Sequence, residues 1–457
     1  MTLLLFCSLL QCVCWSQPVA EVLAKAYKTF EGDPQLRGSI ASLYVIDANS
    51  GKTIFDKNGR TGLAPASTQK VITSASAYAL LGPDFMYQTR FGFSGREGGG
   101  TLVIEPSGDP TLGSWRWNQT GEDRTMQRIV SAYTKAGVKS YSNIQVKDTQ
   151  WDDEAIPGGW IWQDIGNYYG AGAEGLNWRE NQYDLILQSK SSIGSPVTIA
   201  RAEPRVHNIY LMSKAQAAAK GTGDNAYIYF VPGTDSILVR GTIPVSQERF
   251  VISGAFPSAK RQFAATLTEQ LRKQDILSNS SSSHREAEQG NKTFRLVHTE
   301  LSPPLDSIIY WFNKKSINLY GEALVKTIAH KAEGAGTTDR GIEVLKDFWK
   351  TKGLESWEMG MVDGSGLSPL NRVTTHAMVT VLQYARMQPW FGGFYHALPE
   401  YNGMKLKSGT ISGVKGFCGF HKSRDGKEYI VAFLVNNYNG ASAKLVQKMY
   451  KVLDTLK

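Results

Sequence analysis

The stretch Val71-Ile72-Thr73-Ser74-Ala75-Ser76-Ala77-Tyr78-Ala79-Leu80-Leu81 contains no glycine, proline or charge. Small and apolar residues at that density predict a helix buried on all sides, not one with a solvated face. Pro65 suits its start and Gly82-Pro83 its end. Lys70 stands at the head of this run, and Ser67 lies three residues before it. Residues three apart share one face of a helix, so the Lys70 amine can reach the Ser67 hydroxyl. A free serine is a poor nucleophile until a base takes its proton. A buried lysine can be that base, because desolvation disfavours its ammonium form. An ordinary surface Ser and Lys is the competing reading of the pair taken alone.

A chain of 457 residues is too long for one ordinary core, and about two or three domains are expected. The net charge of +9 favours polyanionic surroundings, but the basic residues are scattered and form no run of the kind found in nucleic-acid tails. No nucleic-acid partner is expected. Residues 1–17 are apolar, uncharged and too short to span a bilayer. They read as a signal peptide cut near Ser16 or Gln17, with lipidation at Cys12 or Cys14 a lesser alternative. Peripheral membrane association is left open, and no later stretch predicts a transmembrane helix. Cys418 is the one cysteine after the leader, which excludes an internal disulfide, and its apolar strand pattern places it in the core. The seven histidines lack metal-ligand spacing, so neither a zinc site nor any other cofactor is expected.

Along the chain, residues 18–30 predict an amphipathic helix. Residues 42–47 and 52–56 predict a hairpin about Ala48-Asn49-Ser50-Gly51. A strand-rich middle follows: strands over 87–93 and 101–105, a helix over 123–136, then short strands between 183 and 253 and a helix about 263–271. The serine-rich stretch from Ser278 through Asn291 reads as a solvated loop. From Pro303 the pattern turns helical, over 305–312 and 319–332. Strands over 407–410, 416–422 and 429–436 and a last amphipathic helix over 445–456 close the chain. The simplest architecture is one α+β domain with an antiparallel sheet, its early hairpin beside its late strands, split by a large strand-rich insertion.

Two further short motifs complete a set with Ser67 and Lys70: Ser316-Ile317-Asn318 and Lys407-Ser408-Gly409-Thr410. Alone, the first fits a helix N-cap and the second an edge-strand lysine. Together, in this order, they match the S-x-x-K, S-x-N and K-[ST]-G set of penicillin-binding proteins and serine β-lactamases. The chemistry suits the residue types. Ser67 attacks a carbonyl, Lys70 takes its proton, and Ser316 relays a proton toward the leaving amine. Asn318 hydrogen-bonds an amide of the acyl donor, and Lys407 meets a substrate carboxylate. Gly409 lets the strand approach the substrate, and the Ser67 and Thr410 N–H groups form an oxyanion hole.

With Gly108-Asp109-Pro110-Thr111-Leu112 and Asp363-Gly364-Ser365-Gly366-Leu367-Ser368 added, the chain resembles the low-molecular-mass class C penicillin-binding proteins. That is the D-Ala-D-Ala carboxypeptidase/endopeptidase family typified by penicillin-binding protein 4. The resemblance implies a transpeptidase/β-lactamase-like domain over 18–86 and 297–457. Two nested domains would be inserted over 87–296, the inner one at about 180–255. It implies a periplasmic, cofactor-free serine enzyme that trims peptidoglycan stem peptides, cleaves D-Ala–meso-diaminopimelate cross-links and is acylated by β-lactams. It also implies an aspartate in the insert that holds the diaminopimelate amine, and Gly159-Trp160-Ile161-Trp162-Gln163-Asp164 points to Asp164. Ser408 contributes the hydroxyl where the family has Thr, and Ile317 stands where an Asp is usual. The rival readings are a serine β-lactamase or esterase of the same fold, and a non-catalytic wall-binding protein.

Overall fold

Strand pairing between the two ends of the chain organises the molecule. The computed structural model describes residues 19–95, 100–278 and 294–457. The expected leader over 1–17 and the solvated loop beyond Ser278 lie outside the described residues. No helix among the described residues is long and apolar enough to cross a membrane.

A six-stranded sheet runs in the order Glu400–Tyr401, Met404–Ile411, Val414–Lys422, Glu428–Asn436, Ile40–Asp47, Thr53–Lys57. Every neighbouring pair is antiparallel. The strand Tyr429-Ile430-Val431-Ala432-Phe433-Leu434-Val435 is apolar throughout because both faces of the sheet are covered. Val431, Phe433 and Val435 face the helices Val19–Glu31 and Ser442–Leu453 through Leu23, Tyr27, Leu445 and Met449. Ile430, Ala432 and Leu434 face the larger cluster, which holds Val71, Ile72, Tyr78, Phe312, Leu324 and Trp349.

The helix Lys70–Leu81 (called the nucleophile helix after the sequence expectation for Ser67) is buried without interruption from Lys70 to Tyr78. Its small side chains let neighbours approach closely, and its hydroxyls are each given a partner. Thr73 Oγ1 donates to Gly364 O at 2.6 Å, Asn313 Nδ2 to Ser74 Oγ at 2.9 Å, and Trp349 Nε1 to Ser76 Oγ at 2.8 Å. Asn313 sits on the helix Leu305–Lys315, and Trp349 on Thr338–Lys350. The helices over 338–350, 375–386 and 391–397 extend the helical half beyond the two segments expected from periodicity.

The helix start differs from the sequence reading. Ala66–Gln69 is a 3-10 turn and the α-helix begins only at Lys70. Ala66 takes a positive φ of 48°. Thr68 Oγ1 donates back to Pro65 O at 2.5 Å, which closes the turn before the α-helical ladder can form.

Residues 88–301 build separate sheets. Strands Arg295–Leu301, Gln88–Ser94, Thr101–Glu105 and Asn143–Val146 lie side by side and pack on the helices Glu122–Lys135 and Ala259–Arg272. Strands between 182 and 255 form two more sheets around their own apolar cluster, with Leu185, Leu187, Ile228, Val239 and Ile252. Residues 295–301, divided by the expected boundary at 296/297, form one strand paired with Gln88–Ser94.

Trp349 is fully buried and ties its helix to the nucleophile helix. Trp349→Ala is expected to cost about 3–5 kcal/mol of stability, read as a lowered urea midpoint by intrinsic fluorescence.

Candidate active site

Ser67 sits on the 3-10 turn, partly exposed, with Lys70 one turn below it and fully buried. Lys70 Nζ has three oxygen partners: Ser67 Oγ at 3.0 Å, Asn318 Oδ1 at 2.6 Å and Ser365 O at 2.7 Å. The Phe312 ring, 5.7 Å away, closes another side. Burial, and then the nearby Lys407 charge, hold the Lys70 amine well below its ordinary range, while Asp363 and Glu322 pull the other way.

Ser316 caps the helix Leu305–Lys315 in the left-handed conformation, with φ 57°. That reversal turns its hydroxyl toward Lys407, whose Nζ donates to Ser316 Oγ and to Ser408 O, each at 2.9 Å. Asn318 opens the helix Asn318–Glu333 (the Asn318 helix). Its Oδ1 accepts from Lys70, while its Nδ2 donates to Tyr169 O in the insert at 2.7 Å. One side chain therefore joins the buried Lys70 amine to the inserted segment.

Lys407 is 2% exposed, on the strand Met404–Ile411, opposite Cys418. Burial lowers its pKa from 10.5 to about 7. The same burial pushes the Cys418 thiol up to about 12, so it packs as a neutral core group.

Gly409 has a different task from the one read in the sequence. A Cβ there would lie 2.7 Å from Pro65 O, 2.8 Å from Thr68 N and 2.9 Å from Ser67 N. Glycine lets the strand press against the nucleophile's own turn, and the close approach is to protein backbone. Gly366 does the same from the other side, where a Cβ would meet Ala66 O at 2.0 Å. Asn436 fixes the lead-in: Ala64 N donates to its Oδ1 at 2.9 Å and its Nδ2 donates to Ala64 O at 3.1 Å.

A cavity of about 830 Å³ opens over these groups. Ser67, Ser316, Asn318 and Thr410 line it, and so do Asp164, Tyr169 and Arg116 from the insert. Lys70 and Lys407 stand behind the wall, and Ser408 is half-buried on the strand with its carbonyl committed to Lys407. Thr410 is exposed and accepts from Lys415 Nζ at 2.9 Å. Asp164, on the short helix Trp162–Ile165, is half-buried, receives the Tyr169 hydroxyl at 3.3 Å, and has its pKa raised by burial.

The Asp363 loop was visible in the sequence only as part of a resemblance. Its carboxylate accepts from Gln69, Trp160, Gly366, Ser368 and Asn371. That net presents the Ser365 carbonyl to Lys70. Glu322, one turn beyond Asn318, accepts the Gly364 N–H at 2.9 Å, and burial and then Asp363 raise its pKa to about 8. Polar residues every four positions on one face of the helix (Asn318, Glu322, Lys326, His330) were the available signal.

A serine hydroxyl beside a buried lysine amine, on an antiparallel sheet flanked by helices, fits a serine acyl-transfer enzyme with a transpeptidase/β-lactamase-like fold. A family model described as "D-Ala-D-Ala carboxypeptidase 3 (S13) family" matches residues 23–401, and the chain belongs to that family. It is similar to a D-alanyl-D-alanine carboxypeptidase of Actinomadura sp. (strain R39), 26% identical, over 91% of this chain and 81% of that one. It is also similar to D-alanyl-D-alanine carboxypeptidase DacB of Haemophilus influenzae, 24% identical, over 88% of this chain and 86% of that one. The crystal structure of penicillin binding protein 4 (dacB) from Haemophilus influenzae superposes with a TM-score of 0.79 at 21% identity, covering 96% of this chain and 98% of that one. A structure of the same protein complexed with a β-lactam gives a TM-score of 0.74 at 21% identity, covering 96% of this chain and 99% of that one. The fold class and family expected from the motifs are those found.

Gly409→Ala is expected to cut acylation by about 10²-fold with circular dichroism unchanged, because its new methyl displaces Ser67 rather than unfolding the sheet. A second test uses pH. Lys407 carries its charge below about pH 7 and loses it above. KM for a carboxylate-bearing substrate should therefore rise as pH increases through 7, while KM for a neutral ester stays flat.

Proposed function

We propose that Ser67 is the nucleophile and Lys70 its general base, in a D-Ala-D-Ala carboxypeptidase acting on peptidoglycan stem peptides. The surroundings of the Lys70 amine carry this reading. A neutral amine has two N–H groups and one lone pair. Asn318 Oδ1 and Ser365 O cannot donate, so they take the two N–H groups. The lone pair is left for the third neighbour, the Ser67 hydroxyl at 3.0 Å.

Ser67 Oγ then adds to the carbonyl of the penultimate D-alanine as its proton passes to Lys70. The tetrahedral oxyanion is met by the Ser67 and Thr410 N–H groups, an arrangement worth a few kcal/mol of barrier. The C–N bond breaks as a proton reaches the leaving amine through Ser316, which touches Lys407. Water hydrolyses the acyl-enzyme. Lys407 holds the terminal carboxylate, Ser408 supports Lys407 through its carbonyl, and Asn318 orients the donor amide.

Asp164 lines the same cavity as Ser67, and supports recognition of an amine on the stem-peptide side chain. That same recognition supports a second activity, cleavage of D-Ala–diaminopimelate cross-links. A β-lactam would be attacked by Ser67 in the same way and remain as a covalent adduct. We place the enzyme in the periplasm, exported by the leader over 1–17. We propose a peptidase domain over 18–86 and from about 302 onward, a restart later than the expected 297 that the pairing of Arg295–Leu301 with Gln88–Ser94 supports, with the insert between and its inner part near 180–255.

Fluorescent penicillin should label the wild-type protein and not Ser67→Ala. Lys70→Ala should keep its fold and lose about 10²–10⁴-fold in acylation rate. Wild-type labelling in either variant would refute the assignment. Incubation with a cross-linked muropeptide, read by mass spectrometry, should show both loss of terminal D-alanine and separation of the cross-linked halves.

A further inference from the structure

The Asn318 helix carries a polar stripe at four-residue spacing, whose last two members both reach the segment 150–154. Asn318 reaches Lys70 and Tyr169, and Glu322 reaches the Asp363 loop. His330 stacks on Trp151 at 5.0 Å and 4°, and shares a hydrogen bond with Gln150. The third member, Lys326, is 1% exposed, in a position where a lysine is costly unless every donor is satisfied.

Every donor is satisfied. Lys326 Nζ donates to Asp152 Oδ1 at 2.6 Å, Glu154 O at 2.7 Å and Ala173 O at 3.0 Å. Those three oxygens come from the two ends of one segment, and the same ends are joined by Ala173 N to Ala155 O at 3.0 Å. Gly172 allows this closure, since a Cβ there would lie 2.3 Å from Ala155 O. Between the ends lie Trp160, Asp164 and Tyr169. The loop touches the catalytic half again through Trp160 Nε1 to Asp363 Oδ2 at 2.9 Å and Ser368 Oγ to Gly159 O at 3.0 Å. The Lys326 ammonium thus ties both ends of the loop whose middle forms one wall of the cavity to the helix whose first residue contacts Lys70, beside the ties of Gln150, Trp151 and Asp152 to His330 and Gly336.

We infer that Lys326 is a positioning residue for side-chain recognition: by cinching residues 152–173 against the Asn318 helix, it sets where Asp164 meets an amine on the substrate. The inference rests on the reading of Asp164 as the amine's partner. It extends substrate preference to a buried residue that touches no substrate. The loop is held by Lys326 at its neck, while the oxygens that touch Lys70 belong to Ser67, Asn318 and Ser365, and the loop meets that amine at one remove, through Tyr169 to Asn318 and Trp160 to Asp363. Loosening the neck should therefore spoil recognition of the side chain and spare the nucleophile.

The test compares two synthetic peptides ending in D-Ala-D-Ala, one with a free side-chain amine and one with that amine acetylated. The readouts are the ratio of their kcat/KM values and the acylation rate with fluorescent penicillin. In Lys326→Met the ratio should fall about tenfold or more, through a raised KM for the free amine, while penicillin acylation stays within about threefold of wild type. Asp152→Ala removes only the partly exposed partner, should fold if Lys326→Met does not, and should lower the ratio in the same direction. An unchanged ratio in whichever variant folds overturns the inference. Equal loss on both peptides and on penicillin also overturns it, because that is the signature of a merely structural lysine. Asp164→Asn separates the two claims. If it loses the ratio while Lys326→Met keeps it, this inference alone fails; if it keeps the ratio, the amine reading fails and takes this inference with it.

Discussion

A lysine amine with no access to water and no carboxylate in contact is the constraint on which the site depends. Lys70 is surrounded by a hydroxyl, an amide oxygen and a peptide carbonyl, all uncharged. A permanent ammonium there would forfeit its hydration without an ion pair in return. Neutrality follows from that arithmetic, and basicity toward Ser67 follows from neutrality. The two acids that act on Lys70, Asp363 and Glu322, are held off it by other duties. Asp363 is saturated by donors from five residues, and Glu322 holds a backbone N–H. Both pull the Lys70 amine toward its charged form from a distance, and burial outweighs them.

The rest of the peptidase half serves that arrangement. The helices Leu305–Lys315 and Thr338–Lys350 and the Asp363 loop each satisfy one hydroxyl of the nucleophile helix, so these polar groups can lie in the core paired. Two glycines bring backbone against the Ser67 turn from opposite sides, where any side chain would force the strand or the loop away. The insert is part of the same construction. It supplies the Tyr169 carbonyl that takes the second face of Asn318, the Trp160 donor to Asp363, and the Asp164 wall of the cavity.

Much of this was legible in the chain. Alternation and continuous apolar runs marked the late strands. The absence of Gly, Pro and charge marked the nucleophile helix, and three short motifs marked the residues that gather around the cavity. Other features were not legible, for physical reasons. The close approach of Gly366 and Gly409 to the Ser67 turn joins residues about 300 or more positions apart and has no local signature. Gly409 was read as yielding to substrate because sequence shows only that a Cβ is missing, not what it would strike. The helices over 338–350 and 375–386 carry Thr caps, Thr337 and Thr374, whose side chains accept backbone N–H groups, a cue that periodicity alone passes over.

The sequence by itself determined that a serine and a lysine share one turn at the head of a helix with no solvated face. It also determined that a second hydroxyl, an amide and a second lysine follow in a fixed order. Local spacing and hydrophobic pattern suffice for that, because both act over a few residues. Only the tertiary structure decided which oxygens surround the amine, that the strand's glycine faces the nucleophile's backbone, and that a lysine deep in the Asn318 helix anchors the loop carrying Asp164. Those contacts join residues from 150 to 350 positions apart, and their geometry is set by how the sheets and the insert pack, a property no short window of chain contains.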